Sequence, residues 1–102
     1  MFLTQQEKAA IKRELAEALS PEAEVQRVIV FGSFVTSSTP HDLDLAVFQN
    51  SDDEYLTLAM RYRRNLRPIA RRIPIDVIPL KTNATADPFL QQIERGETVY
   101  ER

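Results

Sequence analysis

Residues 28–48 read VIVFGSFVTSSTPHDLDLAVF, and this stretch decides the fold. Its first half is an apolar, β-branched run that ends in a Gly-Ser pair, and its second apolar run opens with Asp42 and Asp44. Short apolar runs separated by a loop rich in Ser and Thr are typical of two buried strands. The stretch therefore predicts a strand, a glycine turn, a loop and a second strand.

The two aspartates give the first indication of chemistry. Successive side chains of a strand point to opposite faces of the sheet, so Asp42 and Asp44 share one face, about 6.5 Å apart. Two like charges at that separation beside an apolar sheet are costly unless a cation lies between them. Carboxylate oxygens favour a hard divalent ion, and Mg²⁺ is the usual one where phosphates also bind.

The Gly-Ser pair ahead of the loop suits a phosphate. Gly32 lets the backbone turn sharply after the strand and lets a ligand approach the main chain closely. Ser33 adds a hydroxyl and an N–H group, both of which donate hydrogen bonds to phosphate oxygens. The sequence therefore places phosphate donors at short range from the candidate metal ligands.

The pattern resembles the nucleotidyltransferase superfamily of the polymerase-beta type, and within it the minimal nucleotidyltransferases that accompany HEPN-domain proteins in prokaryotes. The resemblance is carried by Gly32-Ser33, by Asp42-Leu43-Asp44-Leu45, by Asp76 within residues 73–80, and by the tail 89–100. It covers nearly the whole chain. It implies one domain over residues 1–102 in the α+β (α/β) class, the nucleotidyltransferase fold, with a small mixed central β-sheet flanked by helices.

The resemblance also implies roles for these residues in a Mg²⁺-dependent enzyme that transfers AMP from ATP to a hydroxyl. Asp42, Asp44 and Asp76 would be the catalytic residues and the metal ligands. Gly32 and Ser33 would bind the nucleotide. Asp76 would help to deprotonate the acceptor hydroxyl, and the alternative for this residue is a salt bridge to one of the nearby arginines.

The residues say least about which molecule carries the acceptor hydroxyl. One small domain whose sheet face holds the nucleotide has little surface left to enclose a second substrate. The resemblance implies that the acceptor is a tyrosine hydroxyl of a HEPN-domain toxin and that this protein is the antitoxin. A competing hypothesis is neutralisation by binding alone, because the eight residues between Ser33 and Asp42 are fewer than the family's usual ten. Transfer to a small-molecule hydroxyl ranks last, since it would need a further substrate-binding domain.

Composition narrows the class of protein. The 102 residues fit one domain with a modest core. The chain has no cysteine, no long apolar run and no signal-peptide pattern, which predicts a cytoplasmic protein without a membrane segment. A formal net charge of −2 argues against general nucleic-acid binding.

The first segment of the chain predicts packing elements without chemistry. Residues 4–19 predict an amphipathic helix that begins with a capping box between Thr4 and Glu7 and that carries Lys8 on its solvated side. Residues 25–31 are apolar enough to predict a central strand covered on both faces.

The loop over residues 34–41 offers polar groups of less specific meaning. Ser37, Ser38 and Thr39 are candidate donors to a triphosphate, although a loop rich in Ser and Thr is usually only a loop. His41 is interpreted as an ordinary residue at the loop end.

A second helix is predicted from residue 51 to about residue 67, with a capping box between Ser51 and Glu54. Its predicted apolar stripe, which should lie on the sheet, consists of Tyr55, Ala59, Tyr62, Leu66 and Ile69. The distal half of this segment carries six arginines, for which three roles remain open: keeping the surface soluble, docking an acidic partner, and reaching the phosphates of the nucleotide. They are Arg61, Arg63, Arg64, Arg67, Arg71 and Arg72.

The last part of the chain predicts an edge strand, a helix and a short strand. Residues 73–80 are apolar except for Asp76, and their prolines suit an edge position. Asp87 and Pro88 predict an N-cap and first helical residue, Gly96 marks the helix end, and a strand follows over residues 97–100.

Overall fold

A computed structural model describes residues 2–83 and 88–102, with the side chains of residues 88 and 89 outside the description. In chain order the elements are α1 (Gln5–Leu19), β1 (Val25–Phe31), α2 (Ser33–Thr36), β2 (Leu43–Gln49), α3 (Tyr55–Ala70), β3 (Ile75–Lys81), α4 (Pro88–Glu94) and β4 (Glu97–Glu101). Helices and strands alternate along the chain, so the predicted α+β class is confirmed.

The four strands form one mixed sheet in the order β3-β2-β1-β4. β1 runs antiparallel to both of its neighbours, whereas β2 and β3 are parallel. A parallel pair needs a crossover connection, and α3 supplies it. The predicted small mixed sheet is confirmed, as are the central position of residues 25–31 and the edge position of the strand that holds Asp76.

Side-chain alternation gives the sheet two different faces. The first face packs on α1 and α3 and contains Val28, Val30 and Leu45, all of them fully buried. The second face is covered by the short helix α4, whose Ile93 packs with Ile29 and Phe31 of β1. The thick layer therefore supports the sheet, and the thin layer leaves the site described below open to solvent.

Helix α1 confirms the predicted cap but corrects one side chain. Thr4 Oγ1 accepts from the Glu7 N–H at 3.0 Å, and Glu7 Oε1 accepts from the Thr4 N–H at 2.9 Å. The predicted solvated position of Lys8 is wrong, because its side chain is only 4% exposed. Lys8 Nζ donates to the Ser37 carbonyl at 2.5 Å and lies 5.6 Å from the centre of the Phe34 ring. The aliphatic stem is thus buried while the ammonium keeps a hydrogen-bond partner.

The predicted loop over residues 34–41 is wrong at its start, where Ser33–Thr36 form the single-turn helix α2. The Val35 N–H donates to the Gly32 carbonyl at 3.0 Å, and the Ser37 N–H donates to the Ser33 carbonyl at 2.8 Å. Phe34 is fully buried in the first core. Burial of this ring draws the chain back over the sheet, which an extended loop would not do.

The predicted capping box of the second long helix is also wrong. α3 begins at Tyr55, and its N-cap Glu54 makes no side-chain cap bond. The Ser51 hydroxyl accepts instead from the Asp53 N–H at 2.9 Å, which closes a turn ahead of the helix. The helix then continues through Pro68 to Ala70, past the predicted end near residue 67.

The apolar stripe of α3 is confirmed except at its first residue. Tyr55 is 57% exposed and does not pack on the sheet. The other four predicted residues are buried, namely Ala59, Tyr62, Leu66 and Ile69. Leu58 joins them at the N-terminal end, so the stripe starts one turn later than the sequence indicates.

The end of the chain agrees with its sequence signals where it is described. Pro88 opens α4, and the predicted N-cap Asp87 lies outside the described residues. Gly96 follows the helix, and Glu97–Glu101 pair with β1 as the final strand. None of the helices in residues 2–83 and 88–102 has the length and hydropathy needed to cross a membrane.

Candidate active site

The parallel register of β2 and β3 places Asp44 directly beside Asp76. Register partners in adjacent strands point to the same face of a sheet, so the two carboxylates lie side by side. Asp42 lies just before β2 and reaches the same place. One carboxylate oxygen from each of the three aspartates lies within 4.8 Å of the others.

The three carboxylates lie at the end of the thinly covered face. Leu43 and Leu45 are both buried in the first core, so Asp44 between them points to the opposite face. Asp42 and Asp44 are half-buried, whereas Asp76 on the edge strand is exposed. A group that approaches from solvent therefore meets Asp76 first.

Electrostatics inside this cluster disfavour three charged carboxylates. Burial raises the pKa of Asp44 above its ordinary value, and the charges of Asp42 and Asp76 raise it further. A divalent cation would relieve the repulsion and replace the lost hydration. Carboxylate oxygens are hard ligands that suit Mg²⁺, which proteins usually hold with carboxylates together with waters and substrate phosphates. The residues present therefore fit a magnesium ion.

Gly32 shares its space with one of these carboxylates. Its φ of +78° lies in the region that L-residues with a side chain rarely adopt. A Cβ atom built on Gly32 would lie 2.5 Å from Asp44 Oδ2. Only glycine fits this turn while Asp44 keeps its position. The group that approaches the bare backbone of Gly32 in this structure is therefore the Asp44 carboxylate.

The Gly-Ser turn opens onto a cavity of about 370 Å³. On one side of this cavity are Gly32, Ser33 and Thr36, and on the other are Gln92, Arg95 and Gly96 at the end of α4. The structure thus places the phosphate donors suggested by the sequence beside an open space. We call this space the Gly-Ser cavity.

Sequence reasoning missed the α4 side of the Gly-Ser cavity. It assigned the segment around Gly96 a structural role only. The signal that was present is the Arg-Gly dipeptide at residues 95 and 96, which puts a cation where a helix ends and the chain turns. Its distance from Gly32 along the sequence hid the contact.

The loop hydroxyls and the histidine lie outside this arrangement. Ser37 Oγ and Thr39 Oγ1 are 3.3 Å apart, and the Thr39 N–H donates to Ser37 Oγ at 3.0 Å. These groups hold the loop together. His41 is exposed and has no hydrogen-bond partner in the described part of the chain.

Two of the six arginines are committed to structure. Arg61 forms ion pairs with Glu24 at 3.5 Å and Asp53 at 3.1 Å, and Arg72 pairs with Glu14 at 2.7 Å. The other four are exposed and make no ion pair within the described residues, namely Arg63, Arg64, Arg67 and Arg71. Asp76 has no arginine partner among the described residues, so the salt-bridge alternative for it finds no support.

A mixed four-stranded sheet that presents three carboxylates beside a Gly-Ser turn defines a protein of the nucleotidyltransferase class. The sequence model of the family described as "Polymerase beta, Nucleotidyltransferase" matches residues 13–102. The chain therefore belongs to the polymerase beta nucleotidyltransferase family. A search of curated proteins returns no matching sequence.

Solved structures with the same fold include three toxin–antitoxin complexes. One contains AMP-PNP, with a TM-score of 0.69 at 17% identity over 89% of this chain and 73% of that one. A mutant MntA–HepT complex gives a TM-score of 0.68 at 15% identity with the same 89% and 73% coverage. The third holds the tri-AMPylated Shewanella oneidensis HEPN toxin with its MNT antitoxin, with a TM-score of 0.63 at 17% identity over 93% and 73% of the two chains. At these identities the similarity establishes the fold.

Proposed function

We propose that this protein transfers AMP from ATP to a hydroxyl of a HEPN-domain toxin and thereby acts as its antitoxin. The observation that carries the proposal is the convergence of Asp42, Asp44 and Asp76 beside the Gly-Ser turn. The fold is shared with complexes of this kind, one of which holds an AMPylated HEPN toxin. The proposed place of action is the cytoplasm.

Asp42, Asp44 and Asp76 would hold Mg²⁺, and the residues of the Gly-Ser turn would hold the phosphates of ATP. Mg²⁺ held there would neutralise charge on the triphosphate and would lower the pKa of the acceptor hydroxyl. Gly32 keeps the backbone close to the carboxylates, and Ser33 offers its hydroxyl and N–H to phosphate oxygens.

Asp76 is the carboxylate best placed to receive the acceptor's proton, because it is the exposed member of the cluster. The acceptor oxygen attacks the α-phosphorus of ATP and forms a new P–O bond. The bond to the β-phosphate oxygen breaks, pyrophosphate leaves with the electron pair, and the acceptor proton passes to Asp76. The products are an adenylylated acceptor and pyrophosphate.

The acceptor is proposed to be a macromolecule because the site is shallow. Asp76 lies on an edge strand, and the face beside it is covered mainly by the seven-residue helix α4. Such a site does not enclose a small substrate, whereas a side chain on a docked partner can reach it. A tyrosine hydroxyl of the HEPN protein is the proposed acceptor.

A second candidate function is neutralisation of the partner by binding alone. One specific observation favours it. The outer side of α3 exposes Arg63, Arg64 and Arg67, and Leu56 and Met60 lie exposed one to three turns earlier on the same side. We call these five residues the α3 outer surface. A positive surface with an apolar margin suits an acidic protein partner, with or without catalysis at the carboxylates.

Labelling with α-³²P ATP and Mg²⁺ separates the two candidates. The purified protein is incubated with and without the HEPN protein encoded by the neighbouring gene, and label on protein is measured by gel. Label on the partner that is lost in Asp44→Asn supports adenylylation. The matched control is Asp52→Asn, because Asp52 is an exposed carboxylate next to the opposite end of β2.

Two other outcomes go against adenylylation. A stable complex that never becomes labelled supports the binding-only candidate. Label that persists in Asp44→Asn contradicts the metal and catalytic roles assigned to the carboxylates.

A further inference from the structure

The Gly-Ser cavity contains a cation that the proposed chemistry has not used. Arg95 lies in the turn between α4 and β4 and lines the cavity opposite Gly32 and Ser33. Among the described residues that line this cavity, Arg95 carries a charge and none is a carboxylate. Its position was not anticipated from the sequence.

The backbone around Arg95 is held in place by its neighbours. Ile93 is fully buried in the second core, and its carbonyl accepts from the Gly96 N–H at 2.9 Å. A Cβ atom on Gly96 would lie 2.1 Å from the Val30 carbonyl oxygen, so the turn rests directly on β1. Because β1 ends one residue before Gly32, this contact fixes the base of the Arg95 side chain near the Gly-Ser turn.

Two nearby cations have anionic partners in α4 and β4. Arg27 pairs with Glu94 at 2.7 Å, and Lys12 pairs with Glu97. Arg95 lies between these two glutamates in sequence, yet it makes no ion pair within the described residues. No carboxylate of the described residues therefore competes with an external anion for its guanidinium.

The groups around Arg95 are those that recognise phosphate. Besides Arg95, the cavity is lined by Ser33, Thr36 and Gln92, whose side chains carry two hydroxyls and an amide. Hydrogen bonds from a guanidinium to phosphate oxygens are charge-assisted and often bidentate. A volume of about 370 Å³ also lies in the range of small-molecule sites.

We propose that Arg95 binds the β- and γ-phosphates of the nucleotide substrate in the Gly-Ser cavity and stabilises pyrophosphate as it leaves. This inference rests on the proposed function, because it names a further residue for the same nucleotide site. When the bond between the α-phosphorus and the bridging oxygen breaks, negative charge grows on the pyrophosphate. Arg95 counters that charge without forming a covalent bond.

Isothermal titration calorimetry tests this role. The protein is titrated in the presence of Mg²⁺ with AMP-PNP, AMP or pyrophosphate. Arg95→Gln should weaken AMP-PNP and pyrophosphate binding about tenfold, equivalent to one charge-assisted bond, and should leave AMP binding unchanged. Arg95→Lys should restore part of the loss, since it keeps the charge without the bidentate geometry. Arg13→Gln is the matched control, because Arg13 is an exposed arginine on α1, away from the cavity.

The results separate this inference from the proposed function. If the wild-type protein binds AMP-PNP and Arg95→Gln binds it equally well, Arg95 has no role in phosphate binding and the proposed function stands. An equal loss for AMP and AMP-PNP also overturns the assignment to the outer phosphates. If the wild-type protein binds no AMP-PNP at all, the proposed function fails together with the inference.

Discussion

Asp44 and Asp76 are register partners in the parallel strand pair β2 and β3, and Asp42 completes a cluster whose carboxylate oxygens lie within 4.8 Å. Two separate strands thus deliver like charges to one place. In the absence of a cation this arrangement opposes folding, and in its presence it forms a site.

Removal of one charge should therefore stabilise the metal-free protein. We expect Asp44→Asn to raise the melting temperature in EDTA, because burial and the other two carboxylates raise the pKa of Asp44 and so disfavour its charged form. Mg²⁺ should raise the melting temperature of the wild type and much less that of the variant. Scanning calorimetry in EDTA and in Mg²⁺ measures both effects.

The same substitution should lower nucleotide transfer at least 100-fold, the usual scale for loss of a catalytic group. A variant that is both more stable without metal and inactive would link the repulsion to the function. A variant destabilised in EDTA would show that the carboxylates do not repel one another in the folded protein.

Gly32→Ala should damage both the fold and the site. The residue would adopt a φ of +78°, and its methyl group would meet Asp44 Oδ2 at 2.5 Å. Backbone strain alone costs about 1 to 3 kcal/mol, and displacement of Asp44 should abolish Mg²⁺ stabilisation. Urea unfolding with and without Mg²⁺ checks this.

Gly96→Ala is the control for that experiment. Its methyl group would clash with the Val30 carbonyl, and no carboxylate is among the three atoms nearest to it. It should therefore lower stability while leaving the Mg²⁺ effect in place. Equal loss of the Mg²⁺ effect in both variants would refute a specific contact between Gly32 and Asp44.

Lys8→Met should cost about 1 to 3 kcal/mol in the free energy of unfolding. The substitution keeps the apolar stem but leaves the Ser37 carbonyl without its ammonium donor, and a polar group left unpaired in a partly buried place is costly. Lys12→Met, which removes an exposed ion pair with Glu97, should cost at most about 1 kcal/mol. Urea unfolding of both variants provides the comparison, and equal values would contradict the anchoring role of Lys8.

We expect the protein to become less stable at alkaline pH because of Tyr62. Burial raises the pKa of its hydroxyl, and the hydrogen bond to Glu24 at 2.8 Å raises it further. In the unfolded chain a tyrosine ionises at about pH 10. Above that pH the unfolded state binds fewer protons than the folded state, so this group's contribution to stability is complete below pH 10 and falls as pH rises.

Tyr62→Phe should remove that pH dependence. The variant should be about 1 kcal/mol less stable at neutral pH, because it loses the hydrogen bond. The difference from the wild type should shrink above about pH 10. Chemical unfolding at several pH values measures it, and a constant difference across the alkaline range would contradict the prediction.

Charge on the α3 outer surface should govern partner binding. Replacement of Arg63, Arg64 and Arg67 together by glutamine should weaken the complex with the HEPN protein by tenfold or more and reduce its salt dependence, since three exposed positive charges are removed. Binding of AMP-PNP should not change. Affinity measured at two salt concentrations tests this, with Arg13→Gln as the control. An unchanged affinity would exclude this surface as the docking site.

Much of the site could be predicted because its signals are local. Alternation along a strand puts Asp42 and Asp44 on one face, and an aspartate within an apolar strand draws attention to Asp76. The exact partner of Asp76 could not be predicted, because parallel register depends on how α3 packs rather than on neighbours in sequence.

The failures have tertiary causes. Lys8 is predicted to be solvated because its side chain is charged. Its ammonium instead donates to the Ser37 carbonyl and lies over the Phe34 ring, contacts that are distant in sequence. Arg95 lines the same cavity as Gly32, and the close contact of Gly96 with β1 holds its backbone there. Ser51 has the chemistry of a helix cap but is used in the preceding turn. In each case a long-range or competing contact decides the outcome.

The overlap between Gly32 and the Asp44 carboxylate also sets a rule for sequence variation. A side chain at position 32 and a carboxylate in the place of Asp44 cannot occupy the same space. In homologues that keep this backbone, substitutions at positions 32 and 44 should therefore be correlated. A lineage that loses the carboxylate is released from one of the two constraints on its glycine, and a lineage that loses the glycine has already given up the carboxylate's position.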